Sequence, residues 1–199
     1  VELTGIRPLT DRMKELTFRR VDANQFPFFR AGQYVSLQGK VGGSVVSRPY
    51  SIVSSPREAL DNKLVLGVED AGFFSGYLNR EAKVGERFTM AEPTGEFHYE
   101  TLRDRKQIVC IAGGSGITPF LSMAKSMEEG DECYEMTLFY GARDEAHIAY
   151  KAELDALAEK GLKVVYVLSD EEQEGYEHGF VTSQLLERYV DIPNVTFFL

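Results

Sequence analysis

The sequence predicts two successive folds, an antiparallel β-barrel and then an α/β domain built on a parallel sheet. In the first hundred residues, short runs of alternating apolar and polar residues are separated by turn signals, a spacing typical of barrels. Beyond Glu100, strand-like apolar runs alternate with segments of helical periodicity, which favours a parallel sheet with right-handed crossovers. The 199 residues suffice for two compact domains. We expect these domains at 1–102 and 103–199, with the change of pattern near Thr101–Lys106.

The first half is predicted to contain strands and one short helix. Alternation predicts strands at Lys14–Arg19, Gln33–Leu37 and Lys63–Val68. Turn dipeptides separate these runs: Ala31-Gly32, Gly42-Gly43, Asp61-Asn62 and Val84-Gly85. A helix is predicted at Ser75–Arg80, because Ser75 can cap the free N–H groups of its first turn.

The second half is predicted to alternate between strands and helices. Gln107–Ala112 is almost continuously apolar, as in a strand that is buried on both faces. Apolar residues at helical spacing from Ile117 to Met127 predict a helix directly after it. The same reasoning predicts strands at Met136–Tyr140, Leu162–Leu168 and Asn194–Leu199, and helices at Tyr150–Lys160, ended by Gly161, and at Thr182–Tyr189.

The composition is that of an ordinary globular protein, with 43% hydrophobic and 27% charged residues. A net charge of −9 argues against nucleic acid as a partner, because binding phosphates needs a basic surface. The acidic runs at 128–132 and 170–172 are expected to be solvated loops. No apolar run approaches the ~18 residues of a membrane span, and the first residues lack the basic flank and apolar core of a signal peptide.

The cysteines and histidines form no recognisable metal site. Cys110 and Cys133 lack metal-ligand spacing, and an iron–sulfur cluster in this chain would need four cysteines. Cys110 lies in an apolar run and is expected to be a buried, inert thiol. This cysteine usage favours a reducing, cytoplasmic setting. The three histidines, His98, His147 and His178, are scattered and expected at the surface.

A glycine-rich segment, Gly113-Gly114-Ser115-Gly116-Ile117-Thr118-Pro119, lies between a predicted buried strand and a predicted helix. Glycines let the backbone approach a pyrophosphate closely, and a helix N-terminus offers free N–H groups and the positive end of the dipole. The segment matches neither GxGxxG nor a Walker loop, because Pro119 stands at the third glycine and no Lys-Ser/Thr follows. Taken alone, it is also compatible with a plain glycine turn between a strand and a helix.

Two segments of the first half suit a nucleotide with a flat ring. In Arg48-Pro49-Tyr50-Ser51, the arginine can pair with a diphosphate, the tyrosine can stack on a ring and the serine can bond a ring nitrogen. Gly72-Phe73-Phe74-Ser75 places a glycine and a hydroxyl at a predicted helix start, which suits phosphate. By themselves, the first segment also reads as a strand with a core tyrosine, and the second as a loop with an N-cap.

In order and content, these segments resemble the ferredoxin–NADP reductase-like family of flavin reductases, and more closely the reductase components of bacterial oxygenases. The resemblance covers essentially the whole chain: Arg48–Pro56, Gly72–Ser75, Val84–Glu86, Gly95–Phe97, Gly113–Pro119 and Tyr140–Arg143. It implies a Greek-key barrel that binds flavin, followed by a Rossmann-like domain that binds a nicotinamide dinucleotide. The implied flavin is FAD, with FMN possible because some relatives use it with the same Arg-x-Tyr-Ser pattern.

The resemblance also implies an activity. NAD(P)H would deliver a hydride to the flavin, which would pass single electrons to a redox partner, such as a [2Fe–2S] domain or protein. An alternative is a non-catalytic subunit whose flavin serves as an electron conduit or sensor in a larger complex. The family usually continues past the strand matching Asn194–Leu199 into a Cys-Gly-Pro motif. We therefore expect an incomplete nucleotide domain and a chain that is part of a longer protein.

Carried onto the first half, the resemblance assigns cofactor-binding roles to Arg48, Pro49, Tyr50, Ser51, Val53, Ser54, Gly72, Phe73, Phe74 and Ser75. Arg48 would contact the flavin phosphates. Tyr50 would stack on the isoalloxazine and Ser51 would face its reactive N5 side, which makes these two the candidate catalytic residues. The backbone around Val53 and Ser54 and the segment Gly72–Ser75 would hold the ribityl and pyrophosphate portion.

In the second half, the resemblance places Gly114, Ser115, Gly116, Ile117 and Thr118 along the nicotinamide nucleotide, with Arg143 near its ribose or phosphate. The residues after the third strand would face the adenosine ribose. NADP-specific relatives tend to have an arginine there, whereas this chain has Asp170. A carboxylate can accept a hydrogen bond from the ribose 2′-hydroxyl and would repel a 2′-phosphate. We therefore expect NADH to be preferred over NADPH, unless Asp170 is only part of a solvated loop and Arg143 binds the phosphate.

Overall fold

The computed structural model describes all residues from Val1 to Leu199. The first half contains β1 (Glu2–Pro8), β2 (Met13–Arg19), β3 (Tyr34–Val41), β4 (Ser44–Ser51), α1 (Pro56–Leu60), β5 (Leu64–Glu69), α2 (Phe73–Arg80) and β6 (Thr89–Met90). The second half contains β7 (Gln107–Gly113), α3 (Ile117–Glu128), β8 (Glu135–Ala142), α4 (Lys151–Ala158), β9 (Lys163–Leu168), β10 (Glu177–His178), α5 (Ser183–Tyr189) and β11 (Thr196–Phe198).

The six strands of the first half close into the predicted antiparallel barrel. Two three-stranded antiparallel sheets, β1-β2-β5 and β4-β3-β6, provide its walls. Single bridges join the sheets: Ile52, just after β4, pairs with Leu66 of β5, and Glu2 of β1 pairs with Arg87, just before β6. Strands that are neighbours in the barrel are thus often distant in sequence, as in a Greek key.

The second half forms the predicted parallel sheet, in the order β10-β9-β8-β7-β11. The chain moves outward from β7 through β8 and β9, and then crosses back to place β11 on the other side of β7. The predicted strands and helices of this half are present, with slightly different ends. The two-residue strand β10 was not predicted, because so short a strand has no measurable periodicity. None of the helices combines the length and apolar character that crossing a bilayer requires.

The start of α2 differs from the prediction. Gly72, not Ser75, is the N-cap, and the helix begins at Phe73. The Ser75 hydroxyl lies inside the first turn, where it accepts a hydrogen bond from the Ala71 N–H at 3.2 Å and donates to the Gly72 carbonyl at 3.3 Å. The hydroxyl therefore braces the loop before the helix instead of capping the helix itself.

Helix α1 was not predicted, although its start is visible in the sequence. Ser55 and Glu58 form a reciprocal capping box at its N-terminus. The same two residues bind α3 of the other half: the Lys125 ammonium donates to Glu58 at 3.0 Å and the Ser55 hydroxyl donates to Glu129 at 2.8 Å. The acidic run at 128–132 is therefore not simply a solvated loop, because part of it binds the barrel.

The hydrophobic core has a barrel part and a sheet part. The barrel encloses a cluster whose largest fully buried members include Phe18 and Phe74. A second cluster fills the space between α3 and the sheet and continues onto the barrel through Met13 and Val65. The two halves therefore share a packed interface, and the spaces at the margin of this interface are bounded by both.

Two titratable side chains discussed in the sequence analysis, those of Cys110 and His98, lie in the interior of the structure. Cys110 is fully buried, as expected, and desolvation raises the pKa of its thiol. His98 is not at the surface as expected, since it is only 9% exposed. Its neighbours explain the burial, because Phe97 packs edge-on against Phe120 and Tyr99 packs against Tyr134. The histidine is carried into the interior between them.

Candidate functional site

A cavity of about 870 Å³ lies between the barrel and the start of α3. This barrel-side cavity is lined by Arg48–Ser51, by Gly72–Ser75 and by Ser115, Gly116 and Thr118. The structure thus brings together predicted site residues from three separate parts of the sequence. The volume is within the range of cofactor-binding sites, ~300–1,000 Å³.

Strand β4 supplies one wall of the barrel-side cavity. It is an edge strand, which is why Pro49, with no N–H to donate, is tolerated there. Tyr50 is half-buried with its ring centroid 6.4 Å from that of Phe74, and burial raises the pKa of its phenol to about 12. The neighbouring Arg48 is exposed, and its guanidinium donates to the Ser47 carbonyl at 2.8 Å. A neutral aromatic ring beside an exposed guanidinium suits a flat ligand that carries phosphates.

The N-terminus of α2 forms another part of this wall. Its first helical hydrogen bond runs from the Gly76 N–H to the Gly72 carbonyl at 2.7 Å. The N–H groups of Phe73, Phe74 and Ser75 therefore have no partner within the helix and carry the positive end of its dipole. Phe73 is 63% exposed at this position. Free amides in the same cavity as Arg48 fit the diphosphate of a flavin dinucleotide.

A second cavity, of about 560 Å³, lies beyond the carboxyl ends of β7, β8 and β9. Gly114, Ser115 and Arg143 line this sheet-side cavity. Because β8 and β11 lie on opposite sides of β7, the strand order reverses here. Open α/β sheets bind their ligands at such a reversal.

The loop between β7 and α3 presents open backbone to the cavities. Gly114 has a φ of +51°, a conformation that favours glycine. A Cβ atom added to Gly113, Gly114 or Gly116 would meet no atom within 4 Å. The buried Tyr140 hydroxyl holds the loop, because it donates to the Gly114 carbonyl at 2.9 Å and accepts from the Ala149 N–H at 3.2 Å. Open glycine backbone at a helix start fits a pyrophosphate.

Arg143 lines the sheet-side cavity, and Asp170 lies next to it without being part of the lining. The Asp170 N–H donates to the Arg143 carbonyl at 2.9 Å, and the Asp170 carboxylate accepts from the hydroxyl of Ser169, which lines the cavity, at 2.5 Å. The Arg143 guanidinium lies 2.5 Å from Nε2 of His147, whose Nδ1 lies 2.6 Å from the Asp144 carboxylate. The structure therefore places the Arg143 cation in the lining of the cavity, while the access of a ligand to the Asp170 carboxylate stays a prediction.

Three predicted binding residues lie behind the cavity walls. Val53, Ser54 and Ile117 are fully buried where the barrel packs on α3. The polar atoms of Ser54 are already engaged: its hydroxyl accepts from the Val65 N–H at 3.1 Å and its carbonyl accepts from the Ser122 hydroxyl at 2.8 Å. The structure therefore shows these residues supporting the walls, while their contact with a cofactor stays a prediction.

Several residues that line the cavities were missed by sequence reasoning. They are Tyr34, Glu69 and Phe97 in the barrel-side cavity and Arg12, Glu69, His147 and Phe180 in the sheet-side cavity. Glu69 is part of both, and its carboxylate accepts a hydrogen bond from the Ser115 hydroxyl at 2.7 Å. The available signal was weak: Glu69 directly follows a predicted strand, at the end where parallel or barrel strands present side chains to a ligand.

Comparisons with known proteins agree with this geometry. Residues 1–99 match the family described as oxidoreductase FAD-binding domain, and residues 110–199 match the oxidoreductase NAD-binding domain. The predicted cofactor classes, FAD in the first half and a nicotinamide dinucleotide in the second, are confirmed at the level of the domain family.

Individual relatives give the same result. NADH-cytochrome b5 reductase 1 of Dictyostelium discoideum is 36% identical, over 82% of this chain and 58% of the relative. Ferredoxin–NADP reductase B of Sorangium cellulosum is 32% identical, over 84% of this chain and 67% of the relative. The crystal structure of the flavohem-like FAD/NAD binding domain of nitric oxide dioxygenase from Vibrio cholerae has the same fold, with a TM-score of 0.83 at 18% identity, covering 98% of this chain and 95% of that one. The chain thus spans roughly half to two thirds of these curated relatives, and it belongs to the ferredoxin–NADP reductase-like family of flavin oxidoreductases.

Proposed function

We propose that the chain is the reductase module of an NADH-dependent flavin oxidoreductase, with a flavin domain at 1–102 and a nucleotide domain at 103–199. The observation that carries the proposal is that the two cavities share a wall, since Glu69, Gly113 and Ser115 line both. A dinucleotide on the sheet could therefore reach a ring held by the barrel. When bound, the flavin accepts a hydride from reduced nicotinamide and releases electrons singly.

On the barrel side, the chain's own residues bind and orient the flavin. The Arg48 guanidinium and the free amides at the start of α2 neutralise its diphosphate. Tyr50 offers a ring face for stacking, and its high pKa keeps the phenol uncharged at neutral pH. Ser51 follows on the same strand, where its hydroxyl can orient the reactive edge of the ring.

On the sheet side, the glycine loop binds the pyrophosphate through backbone amides. The Thr118 hydroxyl donates to the Ser115 carbonyl at 3.0 Å and so keeps the loop in one conformation. Arg143 offers a positive charge to the phosphates, and Asp170 offers an acceptor to the adenosine ribose. Two observations support this assignment. The space above Gly114 and Gly116 is open, and the loop lies where the strand order reverses.

The central experiment follows the visible spectrum of the full-length protein. We expect bound FAD, and we expect its absorbance to bleach rapidly when NADH is added without oxygen. Arg48→Gln should lower the FAD content, whereas Arg87→Gln, a change outside both cavities, should not. Protein without affinity for any flavin would refute the proposal. Flavin that is reduced only by a partner protein would favour the conduit or sensor alternative.

The nucleotide preference is a separate prediction. We expect NADH to bind more tightly than NADPH, because Asp170 would repel the 2′-phosphate, and like charges at close range cost up to several kcal/mol. Asp170→Arg should reverse or abolish the preference, measured as kcat/KM and as Kd for both nucleotides. The control Glu159→Arg makes the same charge change just after α4, at an exposed position away from both cavities. Equal use of NADPH by the unmutated protein would contradict the assignment.

We further propose an iron–sulfur redox partner, a [2Fe–2S] domain or protein, and a cytoplasmic location. The names of the two relatives, a cytochrome b5 reductase and a ferredoxin–NADP reductase, support an electron-carrier partner. Two free cysteines are in keeping with a reducing compartment. Rapid mixing of the NADH-reduced protein with a [2Fe–2S] ferredoxin tests the partner class, and an unreduced cluster would count against it.

A further inference from the structure

The wall that the two cavities share is formed by few residues. Three residues line both cavities: Gly113 and Ser115 from the glycine loop, and Glu69 from the end of β5. Glu69 is therefore the barrel's contribution to the wall that the two cavities share. A dinucleotide that extends from the sheet-side cavity towards the barrel-side cavity would lie beside this carboxylate.

The carboxylate of Glu69 contacts the other half at this shared wall. Its Oε2 accepts a hydrogen bond from the Ser115 hydroxyl at 2.7 Å, although the two residues are 46 positions apart in the sequence. Glu69 is half-buried, and the Ser115 hydroxyl is the hydrogen-bond partner of its carboxylate, which takes part in no salt bridge. The site therefore holds an acceptor whose negative charge has no contacting cation.

We propose that Glu69 is a specificity-determining residue of the dinucleotide site. Its carboxylate accepts a hydrogen bond from the nicotinamide end of the ligand and favours binding of the oxidised, positively charged ring. This inference rests on the proposed function. A carboxylate accepts hydrogen bonds from ribose hydroxyls or from a carboxamide N–H, and it repels phosphate. It would thus leave the pyrophosphate over Gly114 and admit the uncharged or cationic end of the dinucleotide.

The contribution of Glu69 to binding affinity should depend on whether the nicotinamide is oxidised or reduced. The nicotinamide ring of NAD+ carries a positive charge, whereas that of NADH is neutral. At a half-buried position the attraction between a carboxylate and a cation exceeds its value in bulk water. Glu69 should therefore contribute more to NAD+ binding than to NADH binding, and a purely structural hydrogen bond to Ser115 would affect both ligands equally.

The test is isothermal calorimetry of NAD+ and NADH binding to the flavin-loaded, full-length protein, with NADH titrated after flavin reduction. Glu69→Gln preserves the shape of the side chain but removes its charge. We expect Kd for NAD+ to rise about tenfold and Kd for NADH to rise about two- to threefold, given the greater strength of hydrogen bonds that involve a charged group. Glu69→Asp, which restores the charge, should recover part of the preference.

Glu159→Gln is the matched control, because this exposed carboxylate just after α4 lines neither cavity and its loss should leave both Kd values unchanged. An unaltered ratio of the two Kd values in Glu69→Gln would overturn the inference while leaving the proposed function intact. If the unmutated protein binds neither nucleotide, the proposed function and the inference both fail. Thermal melting of each variant reports whether the loss of the Ser115 contact has loosened the two halves.

Discussion

Tyr50 is the single residue on which flavin affinity should depend most directly. Its ring borders the barrel-side cavity and leans on Phe74, so a flat ligand can cover its exposed face. We predict that Tyr50→Ala weakens FAD binding by about 1–3 kcal/mol, the range found for stacking of a base on an aromatic side chain. Tyr50→Phe keeps the ring and should keep most of the affinity. Fluorescence titration of the apoprotein with FAD measures both, and equal affinity of the alanine variant would make Tyr50 a core residue only.

At the scale of single elements, the loop from β7 to α3 contains two glycines, Gly114 and Gly116, and Gly116 is the better position for a test of nucleotide binding. Gly114 has positive φ, so any side chain there strains the backbone whether or not a ligand binds. Gly116 has a φ of −63°, and a Cβ there meets no protein atom within 4 Å. We predict that Gly116→Ala leaves the melting temperature nearly unchanged but weakens NADH binding at least tenfold, because the methyl group occupies the space of the ligand.

The comparison with Gly114→Ala completes this experiment. That variant should lose both nucleotide affinity and about 1 kcal/mol or more of stability, since the left-handed conformation is unfavourable for alanine. FAD content should remain unchanged in Gly114→Ala, because Gly114 lines only the sheet-side cavity; Gly116 lines the barrel-side cavity, so the FAD content of Gly116→Ala is measured alongside its NADH affinity. Unimpaired NADH binding by Gly116→Ala would show that the ligand does not approach this backbone.

The turn that leads into β3 is a second element in which one position, Gly32, requires glycine. Gly32 has a φ of +102°, and a Cβ there would lie 2.2 Å from the Phe97 carbonyl oxygen. We predict that Gly32→Ala destabilises the protein by roughly 3 kcal/mol or more, because backbone strain and overpacking add. Gly43→Ala is the matched control: its φ of +86° is similar, but no atom lies within 4 Å.

Urea unfolding of the two variants separates the cost of backbone strain from the cost of overpacking against Phe97. Gly43→Ala should lose only the ~1 kcal/mol due to positive φ. The difference between the variants then measures the close approach of the turn to the Phe97 segment, which also lines the barrel-side cavity. Similar losses in both variants would mean that the Phe97 segment moves aside without cost.

At the scale of the whole molecule, buried tyrosines predict a loss of stability in alkali. Burial raises the pKa of Tyr134 and Tyr140 far above the ordinary value of 10. Below pH 10 these phenols are protonated in both the folded and the unfolded chain, so they cause no pH dependence. Above pH 10 the unfolded chain releases the protons and the folded protein retains them. The free energy of unfolding should therefore fall by about 1.4 kcal/mol per pH unit for each such tyrosine.

Urea titrations at several pH values between about 9 and 11.5 measure this slope. This range brackets the ordinary tyrosine pKa of about 10. Tyr134→Phe removes one titrating group, so its slope should be shallower by one tyrosine's share. Its stability at neutral pH should also be lower, because the Tyr134 hydroxyl donates to the Met123 carbonyl at 2.7 Å. A stability that stays flat above pH 10 would contradict the burial of these groups.

The sequence by itself determined the two-part fold, most strands and helices of the second half, and the three segments that meet around the cavities: Arg48–Ser51, Gly72–Ser75 and the glycine loop. These depend on properties of adjacent residues: the period of apolar side chains, the conformational freedom of glycine and the free amides of a helix start. Local patterns also misled at one point, since Ser75 looks like an N-cap but braces the preceding loop.

The tertiary structure alone decided which residues meet. The hydrogen bond from Ser115 to Glu69, the place of Arg12 in the same cavity as Arg143, and the burial of His98 and Val53 all depend on how the barrel packs against the second half. No local pattern encodes these contacts, because each joins segments that are far apart in the sequence. They arise when the apolar face around Met13 and Val65 is buried against the other half, and this burial brings the two cavities to a shared wall.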